Sequence, residues 1–99
     1  MFRDKKILVM GLGITGRACL KALNQMPCKV YCYDENKDLN LEDIEEDFVM
    51  LKDGDLENID IIIKSPGIYP DHPLLEKARN LGIKIISDLE FAYKISSCK

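Results

Sequence analysis

Ninety-nine residues, 46% of them hydrophobic, suffice for one buried core and not for two. Fourteen Lys and Arg against 17 Asp and Glu give a net charge of −3, a balance that points to neither nucleic acid nor an anionic membrane as partner. The charge is uneven: Glu35 to Asn58 carries ten acids and two lysines, a local −8 that leaves +5 elsewhere, so a phosphate-bearing ligand should avoid that segment.

The opening MFRDKKILVM has an apolar run far shorter than a secretory leader or a membrane span, which makes a cytoplasmic location the expectation. KKILVMG reads as a first strand buried on both faces and closed by Gly11. Ala18, Cys19, Ala22, Leu23 and Met26 then recur at helical spacing until Pro27 ends the pattern. KVYCYD is a second strand, rich in valine and tyrosine and ending at Asp34. The acidic stretch that follows is weakly helical around Leu41 to Glu46. DFVML makes a short third strand before an Asp53-Gly54-Asp55 turn.

IDIIIKSPG is the fourth strand, stopped by Ser65-Pro66-Gly67. Leu74, Leu75, Ala78 and Leu81 mark a second helix, with Gly82 just past its end, and IKIIS is the fifth strand. Ser87 and Glu90 stand three apart before Phe91, Ala92 and Ile95, a capping box opening a last helix. Strands alternating with helices in this way predict an α/β single domain: a five-stranded parallel, Rossmann-like sheet of order 3-2-1-4-5 with helices on both faces. In that order a crevice opens at the carboxyl ends of strands 1 and 4, where both glycine-containing loops fall.

Gly11, Gly13 and Gly16 form a GxGxxG between a strand and a helix, with an acid at the end of the next strand. Gly11 permits the tight turn, Gly13 lets backbone approach a phosphate, and Gly16 lets the helix pack closely on strand 1. The amides of Ile14, Thr15 and Gly16 then meet an anion at a helix N-terminus. The Thr15 hydroxyl either adds a ligand bond or caps the helix, and Arg17 either assists electrostatically or is solvated. Asp34 sits where dinucleotide-binding proteins accept ribose hydroxyls; its structural alternative is to cap the following turn. Ser65, Pro66 and Gly67 fix a sharp bend facing the first loop. His72, before Pro73, reads as a cap neighbour, a ligand contact or an exposed side chain.

The same loop spans GxxxxG, but Arg17-Ala18 stand where a Mg-nucleotide loop needs Lys and Ser/Thr. A kinase glycine loop joins two strands and does not fit either. Cys19, Cys28, Cys32 and Cys98 lack CxxC spacing and a histidine pair, so they read as buried thiols of a reducing compartment, ahead of a metal site at Cys28 and Cys32. Asp88 and Glu90 belong to a helix start. No nucleophile–base pair emerges, and no catalytic or metal-binding residue is expected.

KILVMGLGITGRAC, Asp34, IIIKSPGI with HPLLEKA, and IISDLEFAY together resemble the N-terminal domain of the UDP-N-acetylmuramoyl-L-alanine:D-glutamate ligases (the MurD family), cytoplasmic enzymes of peptidoglycan synthesis. The resemblance spans nearly the whole chain. It implies that this domain holds the UDP of the substrate, while a central domain binds ATP and Mg and a C-terminal domain helps bind D-glutamate. The substrate carboxylate becomes an acyl phosphate, which the D-glutamate amine attacks. Gly13 to Gly16, chiefly Ile14 and Thr15, would then touch the pyrophosphate. Asp34, Glu35 and Asn36 would serve the uracil end, and Ser65, Pro66 and Gly67 the far wall. The family often has Thr-Arg after the acid, where this chain has Glu35-Asn36. The family's GTNGK[ST]-type ATP loop does not occur here, so the chain is expected to be one excised domain, monomeric and inactive in ligation by itself. The competing expectations are a free-standing NAD(P)-binding domain of an oxidoreductase or regulator, and a small interaction module whose loops are only structural.

Overall fold

The first strand, β1 (Lys6–Met10), lies at the centre of the sheet because it has no polar face to offer water: Ile7, Leu8, Val9 and Met10 are all 1% exposed or less. A computed structural model of the chain describes residues 2–34, 42, 44–52, 54–69 and 71–97. β1 pairs in parallel with β2 (Lys29–Tyr33) on one side and β4 (Ile61–Lys64) on the other. β3 (Val49–Met50) adds to β2, and β5 (Lys84–Ser87) adds to β4. The order is therefore 3-2-1-4-5 with every pair parallel, as the strand–helix alternation predicts.

Alternation along the strands feeds two apolar layers. Ile7, Val9, Val30, Cys32, Ile61 and Ile63 face α1 (Ile14–Leu23) and α3 (Asp88–Ser97), where Leu20, Leu23 and Phe91 complete the packing. Leu8, Met10, Tyr31 and Ile62 face the opposite side, covered by Leu75 and Ala78 of α2 (Pro73–Asn80) and by Leu56 and Ile59. Phe2 is buried in the first layer, its ring edge-to-face with Phe91 at 5.1 Å between centroids, which ties the N-terminus to α3. Leu89 and Tyr93 lie on the outer side of α3, both more than three-quarters exposed.

Several boundaries differ from the sequence reading. α1 stops at Leu23, not near Met26: Asn24 caps it, with its backbone N–H and its Nδ2 both donating to the Leu20 carbonyl. The same side chain bridges to the chain before β3, donating to Asp47 O at 3.1 Å and accepting from Asp47 N–H at 2.8 Å. Past Asn24 the bonds tighten to three-residue spacing, Gln25 N–H to Ala22 O and Met26 N–H to Leu23 O, which ends a helix that apolar spacing alone would extend. β3 has two residues instead of five, and Glu42 and residues 44–46 are not helical. Leu41 and Asp43 lie outside the described residues. After Gly54, whose φ is +89°, Asp55–Asn58 form a 3-10 turn that the hydrophobic pattern does not announce. α2 closes as the pattern predicts: Gly82 has φ +76° and donates to Arg79 O, and Ile83 N–H reaches Ala78 O, the paired bonds of a Schellman motif. α3 opens on the predicted cap, with Glu90 N–H donating to Ser87 Oγ at 3.0 Å.

How α1 docks is decided by two glycines. Gly11 has φ +97°, and a Cβ there would meet Ser65 Oγ at 2.8 Å. A Cβ on Gly16 would lie 1.8 Å from the Gly11 carbonyl oxygen, which is backbone and has nowhere to retreat. Gly16→Ala should therefore destabilise the domain by at least about 2 kcal/mol, read as a fall in thermal midpoint; an unchanged midpoint would refute this packing.

Burial also sets the thiol chemistry. Desolvation, with Asp88 adding a smaller repulsion, pushes the Cys19 thiol from its ordinary 9.0 up to about 11, and desolvation alone pushes Cys32 up to about 12. Cys28, half-buried, is raised too. Folding thus favours the protonated thiols: the unfolded chain releases these protons first, so their stabilising effect is complete below about pH 9 and declines as pH rises toward 11–12. Iodoacetamide at about pH 8 should leave Cys19 and Cys32 unmodified in the native protein and alkylate both in urea, as mass spectrometry would show.

Candidate functional site

The strands end level with one another. Met10 is in register with Tyr33 of β2 and with Lys64 of β4, and Lys64 with Ser87 of β5. The residues that follow them, Gly11–Gly16, Asp34 and Ser65–Gly67, therefore share one carboxyl edge, at the point where the chain leaves β1 to one side and β4 stands on the other.

Backbone bonds continue past the strands and fasten these loops together. Gly11 N–H donates to Tyr33 O at 2.8 Å, and Ser65 N–H to Met10 O at 3.1 Å. Ser65 Oγ donates to Gly11 O at 3.3 Å, so the two loops touch. Asp34 is oriented inward: its Oδ2 accepts the Leu12 N–H at 2.7 Å, tying the tip of β2 to the glycine loop. That bond is a third role for Asp34, distinct from the turn cap and the ribose contact weighed from sequence. Glu35 and Asn36 lie outside the described residues.

α1 begins at Ile14 with Gly13 as its N-cap, which supplies no side-chain bond. Thr15 is the second helical residue, so the sequence alternative of Thr15 as the cap is corrected. The first bond of the helix runs from Arg17 N–H to Gly13 O at 3.0 Å, and the amides of Ile14, Thr15 and Gly16 precede it at the positive end of the helix dipole. Arg17 is half-buried, with Nε donating to Leu12 O at 3.3 Å; it is held against the loop and is not a simply solvated cation.

The three glycines separate by what the fold asks of them. Gly11 and Gly16 are demanded by backbone geometry and contact, as above. Gly13 is not: its φ of −73° suits any residue, and a Cβ there would meet nothing within 4 Å. Gly67 likewise faces open space. Open space in front of Gly13, beside helix amides, is what close approach of an anion requires.

On the other side of the edge, Lys64 closes an all-isoleucine strand and is half-buried, with Nζ donating to Ile68 O at 2.9 Å across the Ser65–Gly67 bend. Ile68 N–H returns to Ser65 O at 3.1 Å. His72 is the N-cap of α2: its Nδ1 accepts the Leu74 N–H at 3.1 Å, and its ring meets Tyr33 edge-on at 5.7 Å. A hollow of about 250 Å³ opens beside the end of β2, floored by Tyr33, Leu51, Leu56 and Leu74 between Lys52 and Lys77. Among the described residues no three His, Cys, Asp or Glu side chains group to hold a metal ion. Lys64 and the backbone tie of Asp34 escaped the sequence reading; the only signal for Lys64 was a charge ending an otherwise apolar strand.

Comparison with known proteins gives these features a family. The chain is 35% identical over 103 residues to the "UDP-N-acetylmuramoylalanine--D-glutamate ligase" of Thermoanaerobacter pseudethanolicus, an alignment covering 95% of this chain and 23% of that protein. It is 40% identical over 99 residues to the enzyme of the same name from Buchnera aphidicola, covering 95% and 22%. The chain thus spans less than a quarter of the length of these curated relatives. Among solved structures, the PH0520 protein of Pyrococcus horikoshii superposes with a TM-score of 0.64 at 21% identity, over 86% of this chain and 27% of that one. Shikimate dehydrogenase of Aquifex aeolicus gives 0.62 at 19%, over 88% and 43%. At those identities the likeness is one of fold. The family model described as "Mur ligase MurD-like, N-terminal domain" matches residues 5–87, a span that runs from the start of β1 to the end of β5. On that match this chain belongs to the MurD-like N-terminal domain family of the Mur ligases.

Proposed function

We propose that the chain holds the UDP end of UDP-N-acetylmuramoyl-L-alanine, as the N-terminal domain of an ATP-dependent ligase that adds D-glutamate during peptidoglycan precursor synthesis. The observation that carries this reading is Gly13: within a family of Mur ligase domains, the fold gives no reason for a glycine there, and a diphosphate does. The diphosphate lies on the amides of Ile14, Thr15 and Gly16, with the Arg17 guanidinium close by on the loop. The uridine runs toward Asp34, Glu35 and Asn36, where the hollow beside Tyr33 offers the base an apolar floor. Ser65, Pro66 and Gly67 form the opposite wall.

ATP and Mg belong to other parts of such a ligase, because Arg17-Ala18 replace the Lys and Ser/Thr of a Mg-nucleotide loop. In this reading the domain contributes binding and orientation, and the 99 residues alone do not ligate. Its setting is cytoplasmic and its state monomeric. No helix among the described residues is long and apolar enough to cross a membrane.

Titration of the labelled chain with UDP, with UDP-N-acetylmuramoyl-L-alanine and with NAD, followed by amide NMR, tests the reading. The first two should shift Gly13, Thr15 and Asp34 and NAD should not; shifts with NAD alone would replace it with the dinucleotide reading. Gly13→Val should keep a dispersed spectrum, since its Cβ enters open space, and should lose the UDP shifts. Undiminished UDP binding by this variant would refute the placement of the diphosphate.

A further inference from the structure

Lys64 is a charged residue at the end of an otherwise apolar strand. It ends a strand whose other three residues, Ile61, Ile62 and Ile63, are buried, and it is half-buried itself. Its Nζ makes one hydrogen bond, to Ile68 O, and among the described residues no carboxylate lies within ion-pair distance of it. With one donor on a neutral carbonyl, the ammonium keeps further donors that an anion can take. A methionine or leucine at this position would continue the apolar face of β4.

Its place is as informative as its state. Lys64 aligns with Met10, one residue before the glycine loop. The carbonyl it grips belongs to Ile68, whose Cγ1 lies 3.8 Å from the Cβ position of Gly11. The neighbouring Ser65 donates to Gly11 O. The ammonium is thus fastened to the wall that the glycine loop faces, across the sheet edge from the α1 N-terminus. Helix amides and Arg17 supply positive potential from one side of the crevice, and Lys64 is a cation on the other, anchored to the Ser65–Gly67 bend.

Resting on the UDP reading above, we propose that Lys64 is the counter-charge of the far wall: it pins the Ser65–Gly67 bend through Ile68 and supplies the second side of the charge that holds the diphosphate. Lysine suits this role as a compact point charge able to keep one donor on a carbonyl and turn the others to phosphate oxygens.

The test compares UDP with uridine, which shares base and ribose but has no phosphate, on the wild-type chain and on Lys64→Met, Lys64→Gln and Lys64→Arg. Binding is read by amide NMR at two salt concentrations. Lys64→Met and Lys64→Gln should weaken UDP about tenfold, the effect of one favourable charge contact, and leave uridine within about twofold. Both should also flatten the salt dependence of UDP binding, while Lys64→Arg keeps it. Equal losses for UDP and uridine, or UDP binding unchanged in both neutral variants, would overturn the proposal and leave the UDP reading standing. Failure of the wild-type chain to bind UDP would overturn the UDP reading, and this inference with it. The Gln variant retains a polar end and keeps the comparison open should Lys64→Met fail to fold.

Discussion

The carboxyl edge of the sheet is organised by a single residue, Gly11. Its N–H is spent on Tyr33 of β2, its carbonyl accepts Ser65 from the end of β4, and α1 rests on that same carbonyl through Gly16. Only a left-handed residue without a side chain can present both groups in these directions, so the φ of +97° is the geometric condition for everything around it. Three elements that are distant in sequence are thereby fixed relative to one another before any ligand arrives. A crevice assembled in this way loses little freedom on binding, which is the general advantage of a preorganised site.

The relation between sequence and structure follows from which forces are local. The strands were legible because burial on both faces leaves no choice but continuous apolar runs, as in Ile7–Met10 and Ile61–Ile63. The order of the sheet follows from parallel pairing and short connections, which leave few arrangements. What sequence missed depends on single side-chain–backbone bonds. Asn24 ties the end of α1 to Asp47, and Asp34 turns inward to Leu12, choices made by individual side-chain–backbone hydrogen bonds. Lys64 escaped notice for the same reason: nothing in periodicity says which carbonyl a lysine will find. His72 was legible as standing at a helix start but not as the cap itself, since its alternatives differ only in where one ring nitrogen points.

The glycine motif divides into two kinds of necessity. Gly11 and Gly16 are architectural, and a protein with no ligand at all would still need them. Gly13 is permissive in conformation and open in front, so nothing in the described fold requires its lack of a side chain. Read as one pattern, GxGxxG says only that a helix packs closely on a strand after a tight turn. Separated into its parts, it says where an anion would sit.

The acid-rich segment between β2 and the 3-10 turn flanks one margin of the sheet. β3 is two residues long, lies at the sheet's margin, and leaves Val49 and Met50 about two-fifths exposed. Such a margin offers unpaired peptide groups to any other chain that approaches, the usual start of strand-to-strand association. Glu45, Glu46 and Asp47 stand before it and Lys52 and Asp55 after it, so a chain that approaches there meets a margin bracketed by charge. The clustering of negative charge that looked like a statement about what the domain avoids binding is, at this margin, also a flank of hydrated charge around a two-residue strand.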